Sequence, residues 1–366
     1  MGNIMSVNGL KVMALTLATA TATAALVSDS TPVVIKAPIV RAAAFDLGSG
    51  KTKVTIADVK RDPFGSWQVV ETLWKKEEVL KFSDDLAGSK DGNLSSEVQE
   101  KGIVLLKKLK LIAEKEHGAQ DFCCIATEVF RKAKNGEAFI HRIKEEVRIP
   151  VYLVTQDQEA TLGFSTGVAI GSLPPEKAMV VDHGSGSFQV SAQNQGTLVS
   201  FNGKLGTIPL TQALIEKVQK TPYKPGSAPK PLSETEAQAF IQLVHKELSQ
   251  VPGWLVQKVS DTESRAVGLA GPAGTFGMCA AVVGKKEFTQ EELWLGIQRL
   301  LNCSDIQIKQ AYPTIYDPTF LPRVLFVYSL MTHLNLNKIA WAESNGCTEG
   351  MLITSSFWPS PIRSKL

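Results

Sequence analysis

The stretch AAAFDLGSGKTKVTIADV, Ala42 to Val59, decides how this chain folds. Gly50-Lys51-Thr52 matches the last three positions of a P-loop, Gly-x-x-x-x-Gly-Lys-[Ser/Thr], a motif that joins a strand to a helix. Its first glycine would have to be residue 45, which is Phe45. After Thr52 the sequence alternates Lys-Val-Thr-Ile-Ala-Asp-Val, the period of a strand rather than of a helix. Ile39 to Phe45 is apolar apart from Arg41 and ends at Asp46, the pattern of a buried strand. The stretch therefore reads as strand, glycine turn, strand, and not as a P-loop.

Working outward, Trp67 to Trp74 is expected to add a third strand and complete a meander. A long helix then opens at Ser95, with Val98, Leu105, Leu109 and Ile112 on its apolar face and Gly118 at its end. Its lysines, Lys101, Lys107, Lys108, Lys110 and Lys115, form a solvated face or, less simply, a polyanion surface. Asp121 to Thr127 reads as a strand, Glu128 to Val147 as a helix broken at Asn135-Gly136, and Val151 to Thr155 as a strand. The pattern then starts again. AMVVDHGSGSFQVSAQNQGTLVSF repeats the order apolar run, Asp, x, Gly-Ser-Gly, alternating strand, with Asp182 lying 136 residues after Asp46. A repeat of that length implies a duplicated α/β domain. Capping boxes at Ser233/Glu236 and Thr289/Glu292 mark later helices. Arg265 to Val283 reads as a strand with a glycine-rich turn, and Phe320 to Leu334 as an apolar helix.

The bulk numbers agree with a globular chain of two domains. It has 366 residues, 44% hydrophobic and 20% charged, with a net charge of +3. That charge is too mild to argue for nucleic acid or an anionic membrane. Five cysteines with no Cys-x-x-Cys pair argue against a disulfide framework or a zinc site. Lys11, the apolar run Val12 to Val27 and the small residues at Ala20 to Ala24 make a signal-like start, with a slight lean to export to the periplasm. The alternative is a disordered Ala/Thr tail on a cytoplasmic protein. The run is too short and Thr-rich for a stable membrane span.

Two matched glycine turns, each led by Asp, suggest a chemistry. Glycine lets backbone N–H groups crowd a phosphate without Cβ obstruction. An Asp at the strand end can hold Mg²⁺ beside the phosphate oxygens. Two such turns across a cleft would clamp a polyphosphate.

At this point the chain resembles a known family, the exopolyphosphatase / guanosine pentaphosphate phosphatase (Ppx/GppA) family of the actin-like ATPase superfamily, in a short form. Asp46-Leu-Gly-Ser and VVDHGSGSFQV resemble its two phosphate motifs. ATEVFRKAKNGEAF, TQDQEATLGFSTGV, GKLGTIPLT, GLAGPAGTFGMCAA and GCTEGMLI are similar to its remaining segments, in family order from Arg41 to Ile353. The resemblance implies a duplicated actin-like (ribonuclease H-like) fold of two lobes with a central cleft. The lobes are expected at 39–155 and 156–345. Residues 1–38 would be a signal-like or disordered segment, and 346–366 a C-terminal segment returning to the first lobe.

The resemblance also implies a phosphohydrolase acting on inorganic polyphosphate or guanosine pentaphosphate. Glu159 would be the general base and Arg131 a phosphate grip. Asp46 and Asp182 would hold Mg²⁺. Gly48, Ser49, Gly50, Lys51, Gly184, Ser185, Gly186, Ser187, Gly271 and Gly274 would line the phosphate site. A homodimer is compatible with this reading.

The chain departs from the family pattern at several of these positions. Gly50 and Lys51 replace Asn and Ser, and Ser185, Phe188 and Gln189 replace Gly, Thr and Glu. Thr161 and Pro209 stand where two arginines are usual. Lys51 is a candidate replacement cation, as a point charge rather than a fork. His183 has no partner at ligand spacing and reads as a strand-end residue. The competing readings are a non-catalytic phosphate or nucleotide binder and, more weakly, a sugar or acetate kinase of the same superfamily.

Overall fold

Alternation along the first strand places its side chains on two faces, and both faces are covered. A computed structural model describes residues 37–61, 67–248 and 251–358; most of the signal-like N-terminal segment lies outside the described residues. Strands β1 (Ile39–Leu47), β2 (Lys51–Lys60) and β3 (Gln68–Val79) form an antiparallel meander. Helices α1 (Phe82–Gly88) and α2 (Ser96–Lys115) follow. Then come β4 (Asp121–Ala126), α3 (Glu128–Lys132), α4 (Gly136–Glu146) and β5 (Val151–Leu153). The sheet order is β3-β2-β1-β4-β5, with β4 parallel to both β1 and β5.

Helix α5 (Gln156–Gly171) leads into the second copy of this plan. Its meander is β6 (Ala178–His183), β7 (Phe188–Asn194) and β8 (Thr197–Gly203). There follow α6 (Thr207–Ala213), α7 (Glu234–Glu247), α8 (Gly253–Ser260), β9 (Arg265–Ala270) and α9 (Thr275–Val283). The chain continues through β10 (Glu287–Thr289), α10 (Gln290–Gln298), α11 (Asp305–Ala311), α12 (Phe320–Leu334), β11 (Lys338–Glu343) and α13 (Thr348–Ile353). The second sheet runs β10-β11-β9-β6-β7-β8, with β6, β9 and β11 parallel.

The structure extends one expected strand and splits another. The third strand does not stop at Trp74 but runs to Val79, because β2 offers a partner along its whole length. Its Lys75-Lys76-Glu77-Glu78 end lies at the sheet edge, where charged residues are tolerated. In the second copy, the expected single strand is split in two. Gln195 and Gly196 both take positive φ (50° and 79°), the paired left-handed residues of a tight hairpin turn.

Period two then sorts the side chains. Ala43, Phe45 and Leu47 of β1 enter a core with α2, α3 and α4. Ala42 and Ala44 face the other way, toward Leu162 of α5 and Met351 and Leu352 of α13. Asp46 shares the parity of Ala42 and Ala44, so it points to that inner side. In β6, Met179 and Val181 enter the large core with α7, α9 and α12. Ala178 and Val180 meet Phe164 of α5, and Asp182 shares their parity. Helix α5 is therefore apolar on two sides because it is packed on two sides. Each fully buried Leu or Phe on it contributes roughly 1.5–3 kcal/mol.

Helix α2 runs as expected from the Ser95 cap, whose Oγ accepts from the Val98 amide. Its buried face is Val98, Ile103, Leu106, Leu109 and Ala113, while Leu105 and Ile112 are only half-buried. The run of consecutive apolar residues allowed either register, and packing chose this one. Lys101, Lys107, Lys108 and Lys115 lie outward, Lys101 pairing with Glu97 and Lys107 with Glu146, while Lys110 is half-buried over the Phe122 ring. Both expected capping boxes close, Ser233 with Glu236 and Thr289 with Glu292. Ser233→Ala should cost about 1 kcal/mol, read as a lower urea midpoint with an unchanged slope.

The segment after β11 is stitched to the first sheet. Asn345 Nδ2 donates to the Val54 carbonyl at 2.8 Å, and the Thr348 and Thr55 hydroxyls meet at 2.7 Å. Lys75 pairs with the buried Glu349 at 2.7 Å. Among the described residues, no helix is long and apolar enough to cross a membrane.

Candidate active site

Each glycine turn closes with the same bond. Gly48 N–H donates to the Lys51 carbonyl at 3.0 Å, and Gly184 N–H donates to the Ser187 carbonyl at 2.9 Å. The carbonyls of both turns are tied back into the protein. Ser49 and Gly50 accept from Ser83 and Leu80, while Gly184 and Ser185 accept from Thr207 and Ile208. The Ser49, Gly50, Ser185 and Gly186 amides have no protein acceptor among the described residues. Donors left over at a turn are what an anion uses.

The two turns face each other. A Cβ at Gly50 would lie 3.1 Å from Ser185 Oγ, so the two turns come within side-chain reach of each other. They border a cavity of about 150 Å³. Of the residues expected from sequence, Asp46, Glu159, Asp182, both glycine turns, Gly271 and Gly274 all line it. Arg131 does not. It stands behind Glu159, its Nη2 at 2.8 Å from Glu159 Oε2, while Nη1 donates to the Val154 carbonyl. Lys51 reaches the cavity but is paired with Glu77 of β3.

Local sequence explains how Glu159 is held. Thr155 and Gln158 close a capping box at the start of α5, and Glu159 sits in that first turn. Burial pushes the Glu159 carboxyl up to about 7, with Arg131 opposing and Asp46 and Asp182 adding to the rise. Burial likewise raises Asp46 and Asp182, against the pull of Lys53. The Cys347 amide lies 3.3 Å from Asp46 Oδ2.

Several charged or polar cavity residues were not singled out as site residues from sequence, among them Lys53, Glu77, Arg323, His183 and Glu128, whose carboxylate lies against Gly186. Lys53 is opposite Asp46 in the β1–β2 register. Burial pulls its ammonium down, but Asp46, Glu77 and Asp182 outweigh that and hold it above its ordinary value. The cross-strand pairing was the available signal. Glu77 lies on the unexpected extension of β3. Arg323 is the one arginine of the apolar helix α12, buried, with Nη1 donating to the Ala273 carbonyl at 3.1 Å and Nη2 on Asp317 at 3.0 Å. It braces the turn before α9. His183 ends β6, as expected, but is buried and stacked on Phe326. Its Nε2 faces the Leu205 carbonyl at 2.9 Å, which can only accept. Nδ1 therefore accepts from the Thr275 hydroxyl, at 2.7 Å. Burial pushes the ring down to about 3, so it is neutral and ties the second turn to α9.

Asp46 and Asp182 offer hard oxygen donors at corresponding strand ends, Asp46 buried and Asp182 half-buried, both held against Lys53. Two carboxylates are the donor type a divalent cation takes, and among the described residues no third His, Cys, Asp or Glu joins them in a metal-holding group.

A family model described as the Ppx/GppA phosphatase family matches residues 60–356. A bifunctional 3-dehydroquinate synthase/phosphatase of Fusobacterium nucleatum is 25% identical over 173 residues, 46% of this chain and 26% of that protein. The match thus spans about a quarter of that relative's length. Among solved structures, the Aquifex aeolicus member of the Ppx/GppA family has a TM-score of 0.66 at 22% identity, covering 86% of this chain and 97% of that one. An exopolyphosphatase from Cytophaga hutchinsonii has a TM-score of 0.62 at 19% identity, covering 85% and 97%. The duplicated sheets are thus the actin-like fold of these proteins. With the matched turns, the repeated topology and the family match in agreement, the chain belongs to the Ppx/GppA phosphatase family.

Proposed function

We propose that the cleft hydrolyses the terminal phosphate of inorganic polyphosphate or guanosine pentaphosphate. The observation that carries this reading is the near contact of Gly50 with Ser185 beside Glu159, which puts two sets of amide donors and a raised carboxylate at one cavity. The amides of Ser49, Gly50, Ser185 and Gly186 would bind the phosphate oxygens. Glu159 takes a proton from the attacking water, and a base near neutrality suits that task. Arg131 acts behind it as a positioning residue, fixing the carboxylate through the ion pair. Lys53 adds a fixed positive charge. Asp46 and Asp182 would hold a divalent cation, Mg²⁺ in this reading, which supplies charge neutralisation at the transferred phosphoryl.

The test is phosphate release from tripolyphosphate and guanosine pentaphosphate by the full chain, with Mg²⁺ and with chelator. Release should need the cation and fall about 100-fold or more in Asp182→Asn. Thermal stabilisation by these ligands without any release would instead establish a non-catalytic binder. The loss of two family arginines, at Thr161 and Pro209, is the observation that favours that second reading.

A further inference from the structure

A second cavity, about 340 Å³, opens beside the first and shares Ser49, Glu128, Ser185 and Gly186 with it. Its chemistry is different. Leu86 and Val129 line it from the first half of the fold, and Ile208, Pro209 and Tyr223 from the second. Its charged residues are Asp84, Glu128 and Lys132, and Lys132 is already paired with Glu128. Pro209, on α6, stands where the resembling family carries an arginine.

An inorganic chain threading this space would bring one negative charge or more per phosphate against a wall whose two acids, Glu128 and Asp84, are already matched by Lys132 and Lys81. No cation there is unpaired among the described residues. A ring would fare better. Leu86, Ile208 and Tyr223 are each half-buried and offer apolar surface. The volume lies at the small end of the range for organic ligands. Because both cavities share the two serines, the ring would sit directly on the phosphate that the turns hold.

We propose that this annex seats a flat, uncharged ring carried on the clamped phosphate, so that the preferred substrates are organic phosphates rather than inorganic chains. The proposal rests on the reading above only for phosphate binding at the turns, not for turnover.

Calorimetry on the intact chain tests it with three probes: inorganic phosphate, 1-naphthyl phosphate and guanosine 5′-monophosphate. At least one ring-bearing phosphate should bind about tenfold more tightly than inorganic phosphate. Whichever binds more tightly separates an aryl from a nucleoside source. Ile208→Ser and, separately, Tyr223→Ser should each reduce the preference at least about threefold while leaving inorganic phosphate unchanged. Tyr223 lies in a loop, so its variant keeps the test open if Ile208→Ser fails to fold. Equal affinity for all three probes, no binding of any, or equal weakening of all three by both variants would overturn the proposal. Preferential ring binding without phosphate release would sustain it and overturn only the hydrolytic reading.

Discussion

Glu159→Gln should lower kcat for phosphate release by about 10²–10⁴-fold, the range expected for loss of a positioned general base, with little change in KM. The amide keeps the shape of the side chain and its place in the first turn of α5 but cannot accept the proton. The pH profile provides an independent readout. Burial holds the Glu159 carboxyl at about 7, and only its ionised form is a base. Activity should therefore fall tenfold per pH unit well below about 7 and level off above it. The neighbours set the direction of further shifts. Arg131 opposes the rise, so Arg131→Met should move the rising limb to higher pH. Asp46 and Asp182 contribute to the rise, so neutralising them with a bound divalent cation should move it to lower pH. A flat profile between pH 5.5 and 8.5, about 1.5 units either side of that value, would remove Glu159 from the role of base.

Much of this site was legible because its main groups sit on elements that announce themselves. Asp46 and Asp182 end alternating strands before a glycine turn, and parity alone sends both to the side occupied by α5. Glu159 is reached through the family resemblance, and the Thr155–Gln158 capping box that holds it emerges only in the structure. The groups that were missed act across distance in the chain. Lys53 looks like one more lysine of an alternating strand until the β1–β2 register sets it opposite Asp46. Glu77 depends on how far β3 runs, which pairing with β2 decides and local propensity does not. Arg323 and the Ala273 carbonyl are 50 residues apart, and no periodicity links them. Arg131 shows the opposite limit. Its segment was recognised, yet only the fold reveals that its guanidinium backs the carboxylate rather than entering the cavity.

Gly206→Ala should destabilise the chain by forcing α6 away from the second glycine turn. The residue has φ −75° and ψ 177°, a conformation that alanine adopts freely, so backbone strain is not the issue. Space is. A Cβ there would lie 2.3 Å from the Gly186 carbonyl carbon and 2.4 Å from the Ser187 nitrogen. Both are backbone atoms of the second turn, so no rotamer change relieves the clash and the two segments must part. Parting them strains three bonds that cross the junction: Thr207 N–H to the Gly184 carbonyl and Ile208 N–H to the Ser185 carbonyl, each 3.0 Å, and His183 to the Leu205 carbonyl. Overpacking costs about 1–3 kcal/mol, and each weakened bond up to about 1 more. A loss of about 3 kcal/mol is therefore expected, with phosphate affinity falling because the Ser185 and Gly186 amides lose their aim. Gly253→Ala is the matched control. A Cβ there meets nothing within 4 Å, and the position opens α8, so it should be neutral or stabilising by up to about 1 kcal/mol. Urea midpoints and phosphate titrations of the two variants decide the matter. If Gly206→Ala matched the control in both, the second turn would not be held by α6, and its amides would not be a preformed half of the clamp.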